Sequence, residues 1–311
     1  MDLEQGKFKK SNQLIEIIME TTNYTNIPSS PIERQSAFAP WGFLLVTFGF
    51  SWIIWIIPIL MHFGIIFIPD QALLSGITMS FVILGAFGPM TGAIVMSRYE
   101  SGKGAIRKHL IRIFKINNSW KWYFIPFILL GIIQFTVWGV SLFWGESPLK
   151  SFLPTPWIIP IYMILMMFLG GGQEEIGWRG FALDRLLSRH NDFIASLILG
   201  TIWGLWHLPL WFMTGSGQVY IPFPAFLLWT ISMSVIMTWI YIGSKRSLFT
   251  SMWTHGLSNS LTAIFPVLIL MIRANQFRYW IYSCTIAITA LIITFIRGFN
   301  RRSGSVQDFY S

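Results

Sequence analysis

The chain has 311 residues, 54% hydrophobic, 17% aromatic and only 11% charged, which excludes a soluble globular domain and a disordered chain and points to a membrane protein. Its net charge of +9 would suggest nucleic acid in a soluble protein, but basic loops facing anionic lipid headgroups account for it here, so membrane lipids and not nucleic acid are the expected partners. The single cysteine, Cys284, excludes a disulfide within these residues and a cysteine-based zinc site.

Residues 1–40 carry Lys7, Glu16, Glu20, Glu33 and Arg34 among polar neighbours and lack the apolar core and cleavage site of a signal peptide. They read as a cytoplasmic extension in which Leu14, Ile15, Ile17 and Ile18 form one short amphipathic turn. Runs long enough to cross the roughly 30 Å hydrocarbon core then follow at 41–68, 73–97, 120–144, 156–173, 193–213, 221–243, 247–271 and 277–296. The expected fold is all-α, a polytopic bundle of about eight transmembrane helices with an intramembrane site. One membrane domain covers 41–298, and 299–311 form a cytoplasmic tail.

Charge supports this segmentation, because Lys and Arg are retained on the cytoplasmic side during insertion. With both termini inside a plasma membrane, all of the 22 basic residues except Lys150, Arg273 and Arg278 fall on the cytoplasmic side. Within 101–121, Ile106, Leu110, Ile113 and Phe114 stand opposite the basic residues, which predicts an interfacial amphipathic helix on the inner leaflet. His62, His109 and His190 read as surface or interface residues, and Asp184 with Arg185 and Arg189 as a solvated helix end.

The polar residues inside apolar runs carry the functional signal, since an ionisable group at membrane depth costs at least about 2.5 kcal/mol. Glu174-Glu175-Ile176-Gly177-Trp178-Arg179 closes the fourth run. Residues four apart share a helix face, so Glu175 pairs with Arg179 while Glu174 faces elsewhere with less compensation. The preceding Gly170-Gly171-Gly172 predicts close packing or a local break. The fifth run places Trp203 and His207 four apart just before Pro209, and the seventh does the same with His255 and Asn259. Imidazole and carboxamide held together supply the fixed N–H donors that an oxyanion of peptide hydrolysis needs.

Each of these residues also has a purely structural reading. Lone His and Asn residues in membrane helices serve as interhelical hydrogen-bond glue. A Glu–Arg pair can be a simple ion pair, and Trp178, Trp203, Trp206 and Trp211 are packing or interfacial anchors in a chain with 16 tryptophans. Glue does not, however, require two acids, an arginine, two histidines and an asparagine in three separate arrangements.

Glu-Glu-x-x-x-Arg, aromatic-x-x-x-His and His-x-x-x-Asn, in that order on successive membrane helices, resemble the CAAX protease and bacteriocin-processing family of intramembrane proteases, which includes the type II CAAX prenyl endopeptidases. The resemblance covers about 156–271. It implies that Glu174 activates a water, that Glu175 and Arg179 support it, that His207 helps hold the water, and that His255 with Asn259 stabilises the oxyanion. The aromatic before the first histidine is usually Phe in that family and is Trp203 here, which keeps an aromatic wall while changing its shape. The substrates implied are peptides or proteins: lipidated proteins processed at their carboxy terminus, bacteriocin-type peptides, or targets met in self-immunity.

Glu174, His207 and His255 would together suit a zinc ion with a fourth position for water. Yet His-Glu-x-x-His is absent, and the resemblance embraces proteins described both as metalloproteases and as metal-independent glutamate proteases. A glutamate-activated water without a cofactor is the reading taken here, with zinc as the alternative. The oligomeric state is left open. A proton-coupled transporter using Glu174, His207 and His255 as a relay is the competing class, opposed by the lack of an inverted repeat, and a non-catalytic immunity scaffold is the third.

Overall fold

Backbone amides in hydrocarbon have no water to bond, so a chain of this composition must close its hydrogen bonds within helices. A computed structural model describes residues 39–114, 116, 119–140, 143, 150–153, 155–267 and 277–297, and regular structure among them is entirely helical. The expected extension before Ala39, its turn at Leu14, Ile15, Ile17 and Ile18, and the tail 299–311 lie outside the described residues. Helix α1 runs Ala39–His62, α2 Gln71–Gly85, α3 Gly88–Ser101, α4 Lys103–Ile111 and α5 Lys121–Val140. After these come α6 Ile158–Phe168, α7 Asp192–Trp206, α8 Phe223–Gly243, α9 Leu248–Ile264 and α10 Phe277–Arg297. Between α6 and α7 the backbone changes register three times, from a 3-10 turn at Gly172–Glu174 through a single α-turn at Glu175–Gly177 and a π-helix at Trp178–Leu183 to an α-turn at Asp184–Leu187.

The chain is a polytopic all-α membrane protein. Among the described residues, six stretches are long and apolar enough to cross a membrane: Pro40–His62, Gln71–Ser101, Lys121–Val140, Asp192–Phe212, Phe223–Gly243 and Phe277–Arg297. The other two expected spans come out shorter. α6 has 11 residues, about 16 Å at 1.5 Å per residue, and α9 has 17, about 26 Å. α6 stops because the triple glycine breaks it: Gly171 takes φ +117, and a Cβ there would lie 2.5 Å from His255 Nε2, so both conformation and space call for glycine.

The second expected span is broken in the middle, into α2 and α3. Pro89 has no N–H for the Gly85 carbonyl, and Ser51 Oγ of α1 donates to that carbonyl instead at 2.7 Å. α8 lies at the centre of the bundle, packed along α7 and α10, while α9 packs on α6 and α5. The composite segment sits against α3 so closely that a Cβ on Gly177 would fall 2.2 Å from the Pro89 carbonyl oxygen.

In segment 101–121, expected as an interfacial amphipathic helix, the described residues form α4 and the 3-10 turn Arg112–Phe114; Phe114 is exposed, while Leu110 and Ile113 pack inward on the cluster of Met167, Ile176 and Met252. His109, expected at a surface, is buried and its Nε2 lies 2.9 Å from the Ile176 carbonyl oxygen. Nor is Asp184 a solvated end: Arg112 and Arg246 pair with it at 3.0 and 3.2 Å, and Tyr241 donates to it at 3.0 Å. Arg185 donates to Glu100, whereas Arg189 and His190 are exposed as expected. Helical periodicity assigns residues to faces; it does not reveal that the basic face of α4 will meet a carboxylate from a later helix.

Burial, followed by the neighbouring Arg112, pushes His109 down from 6.5 to about 4, with Arg185 adding to the effect and Asp184 opposing it. The folded value lies below the unfolded one, so between those limits the unfolded chain takes up a proton that the native state refuses. Stability therefore falls as the pH drops from 6.5 towards 4, by up to about 3 kcal/mol. The thermal midpoint in detergent is expected to decline across that window less steeply in His109→Gln, which keeps an N–H donor but cannot titrate. Parallel declines for the two proteins would contradict this.

Candidate active site

The site assembles where the two short helices end. Past Gly171, the 3-10 turn carries Glu174 and the α-turn carries Glu175, both buried. Arg179 on the π-helix donates through Nη1 to Glu175 Oε1 at 2.9 Å, and both side chains are wholly inaccessible. The expected pairing thus forms, on a segment that is not the regular α-helix expected. Its guanidinium carbon also lies 5.3 Å from the centre of the Trp203 ring, so an indole face shares in stabilising the buried cation.

Glu174 points the other way, and two indoles meet it. Trp203 Nε1 donates to Oε2 at 2.9 Å and Trp178 Nε1 to the same oxygen at 3.3 Å. These two tryptophans had been read as packing anchors; among 16 of them composition cannot single out a donor. The four-residue spacing of Trp178 from Glu174 was the available signal. No described protein group donates to Oε1.

Pro209 shapes the next piece. Helix α7 stops at Trp206 and gives way to a 3-10 turn, Leu208–Phe212, with Pro209 near its start. The His207 amide then bonds the Gly204 carbonyl rather than that of Trp203. His207 Nδ1 takes the freed Trp203 carbonyl at 2.8 Å. A carbonyl oxygen only accepts, so Nδ1 carries the proton and in a neutral ring Nε2 is left as an acceptor. Trp206, beside it, is fully buried and donates to Ser51 Oγ at 2.9 Å, while Trp211 donates to the Ile221 carbonyl at 2.7 Å, consistent with the anchoring role expected of both.

His255 and Asn259 lie one turn apart on α9 and converge on the glycine turn. His255 Nδ1 is 2.7 Å from Glu175 Oε1, a contact the spacing did not reveal, and Asn259 Nδ2 donates to the Gly170 carbonyl at 2.5 Å. A Cβ on Gly171 would touch both His255 Nε2 and Asn259 Nδ2. With Nδ1 turned to a carboxylate, Nε2 accepts in the neutral ring and donates only in the protonated one.

Glu174, His207, His255 and Asn259 all line one cavity of about 420 Å³. Most of its remaining wall is apolar, including Trp55, Met79, Trp206, Phe226, Trp229 and Tyr282. An apolar pocket of this size with a few convergent polar groups is the usual form of a small-molecule or peptide subsite. Among the described residues, no three of His, Cys, Asp and Glu lie together as a metal-holding group. Both imidazoles turn Nδ1 to protein partners and leave Nε2 open, and the indoles engage only Oε2 of Glu174, an orientation that suits holding a water and equally suits ligating zinc.

Residues 156–261 match the sequence model of the family described as type II CAAX prenyl endopeptidase Rce1-like. Over those residues the sequence is similar to that family. It is also 26% identical over 234 residues to CAAX prenyl protease 2 of Methanococcus maripaludis, an alignment covering 71% of this chain and 83% of that protein. Members of the Rce1-like family are intramembrane proteases, and the matched region contains Glu174, His207, His255 and Asn259, while Thr262, Tyr279 and Tyr282 of the same cavity wall lie beyond it. Helices α1 to α5 precede it.

Proposed function

We propose that this Rce1-like protein is an endopeptidase in which Glu174 acts as general base on a water held at the mouth of Oε1. The observation that carries the reading is the division of labour at Glu174: two indole donors hold Oε2, and the side chain lines the cavity that His207, His255 and Asn259 share. His207 Nε2 accepts a hydrogen bond from the water's other O–H and orients it. As the water attacks the scissile carbonyl, Glu174 takes its proton, and the same carboxyl returns it to the departing amine. Asn259, and His255 in its protonated form, donate to the oxyanion. Glu175 and Arg179 fix the His255 ring.

Eight membrane crossings are part of the proposal, with α6 and α9 as the two short ones, both termini cytoplasmic in a plasma membrane, and the protease domain at 41–298. The largely apolar cavity wall and the name of the archaeal relative favour a lipidated or strongly apolar carboxy-terminal peptide as substrate. Bacteriocin-type peptides and a role in self-immunity are the competing substrate classes. Incubating detergent-solubilised protein with a peptide library that includes lipidated members, and mapping products by mass spectrometry, tests this. Cleavage that vanishes in Glu174→Ala supports the reading; an identical product set from both proteins overturns it. Full activity after exhaustive chelation, with no stoichiometric zinc by elemental analysis, is the result expected of a glutamate-activated water; activity lost on chelation and restored by zinc supports the metal alternative.

Trp203→Phe keeps the aromatic wall and deletes one donor to the base. A hydrogen bond to a charged group contributes about 1.5–3 kcal/mol, so kcat is expected to fall about 10- to 100-fold with KM nearly unchanged. An unaltered kcat would show that this indole only packs.

A further inference from the structure

The backbone that carries the acids is gripped from outside the family-matched region, and we propose that His109 and Arg112 are positioning residues for the reaction, acting through the Ile176 and Gly180 carbonyls. The inference rests on the catalytic reading above.

A π-helix is rarely stable by itself and is found where surroundings impose it. Here Arg112 Nη1 donates to the Gly180 carbonyl within the π-helix at 2.8 Å, and His109, whose Nε2 must carry a proton to face a carbonyl, donates to Ile176 at 2.9 Å. The two carbonyls bracket Arg179, and Ile176 directly follows Glu175. Leu110 and Ile113 pack on the cluster of Met167, Ile176 and Met252 to which the Ile176 side chain belongs. Arg112 is fixed in turn, since Nη2 also donates to Asp184 Oδ2 at 3.0 Å and to the Tyr241 hydroxyl at 2.7 Å. Arg246 completes the cluster from a left-handed backbone, φ 58, that a non-glycine residue holds only when its contacts over-determine it. Side chains from α4, the turn after it, α8 and the α8–α9 loop therefore converge on one edge of the acid-bearing segment. Release of that edge lets Glu175 and Arg179 shift, and with them the His255 ring that Glu175 holds at 2.7 Å; displacements of about 1 Å at a reacting centre can cost 10²-fold.

The test uses the full chain in detergent, with Arg112→Met and His109→Leu as disrupting variants and Arg112→Lys and His109→Gln as conservative ones. Two quantities are read: kcat and KM on a peptide cleaved by the parent protein but not by Glu174→Gln, and hydrogen exchange over residues 172–187, which needs no activity. Expected are kcat values about tenfold lower with KM within about twofold, substantial rescue by His109→Gln, and faster exchange across 172–187 in the disrupting variants. Unchanged exchange, or accelerated exchange with parental kcat, overturns the inference while leaving Glu174's role standing. Absence of cleavage by the parent protein itself removes the catalytic reading and this role with it. Should Arg112→Met not fold, the His109 pair decides by the same criteria.

Discussion

Glu174→Gln is expected to lower kcat for peptide cleavage by about 10²- to 10⁴-fold, the range supplied by a general base, while the protein remains folded. The substitution is nearly isosteric. A glutamine carbonyl can still accept from the Trp203 and Trp178 indoles that now meet Oε2 at 2.9 and 3.3 Å, so the side chain should keep its place. What disappears is the carboxylate able to take a proton from water. Replacing a buried charge with a neutral amide also relieves desolvation, so the thermal midpoint should stay level or rise. Turnover of a library-derived peptide and a melting curve in the same detergent check both halves. Activity within tenfold of the parent protein would remove Glu174 from the chemistry.

Arg179→Met carries the largest expected stability effect, a loss of about 3–5 kcal/mol, because it strands Glu175 where neither side chain has any solvent access. The His255 ring, with Nδ1 at 2.7 Å, stays hydrogen-bonded to that carboxylate, which places the loss towards the lower end. Adding Glu175→Gln removes the second charge, and the double variant should recover most of the stability, since a buried pair is often replaceable by neutral groups at little cost. Activity should not recover with it. The His255 ring then faces an amide in place of the carboxylate that holds Nδ1, and the oxyanion donor loses its fixed orientation. Melting midpoints and kcat for the single and double variants check these effects. A double variant with parental kcat would reduce Glu175 and Arg179 to a structural ion pair.

Much of this arrangement could be read before folding was considered. Four-residue spacing linked Glu175 to Arg179, and placed Trp203 beside His207 and His255 beside Asn259, because a helix turn of 3.6 residues brings such pairs onto one face regardless of context. Hydropathy located the long helices to within a few residues, since roughly 30 Å of hydrocarbon demands an apolar run of a definite length. The same rule overestimated α6 and α9, where glycine conformation and the loss of helical hydrogen bonding end the helix before the apolar composition does. It likewise hid the break between α2 and α3, which follows from Pro89 and is repaired by a hydroxyl from another helix.

Composition and local spacing alone determined that this is a helical membrane protein whose acids, imidazoles and carboxamide lie in three particular apolar segments. Those properties depend on neighbours within a turn or on the average affinity of a segment for lipid. Tertiary structure alone decided that Trp203 and Trp178 would donate to Glu174, that His255 would turn to Glu175, and that His109 and Arg112 would face inward to grip the π-helix. Each of these except the Trp178 contact joins residues from different helices, 29 apart for Trp203 and Glu174, 80 for His255 and Glu175 and 67 for His109 and Ile176. Partners so distant along the chain are selected by how whole helices pack, and no local periodicity encodes that.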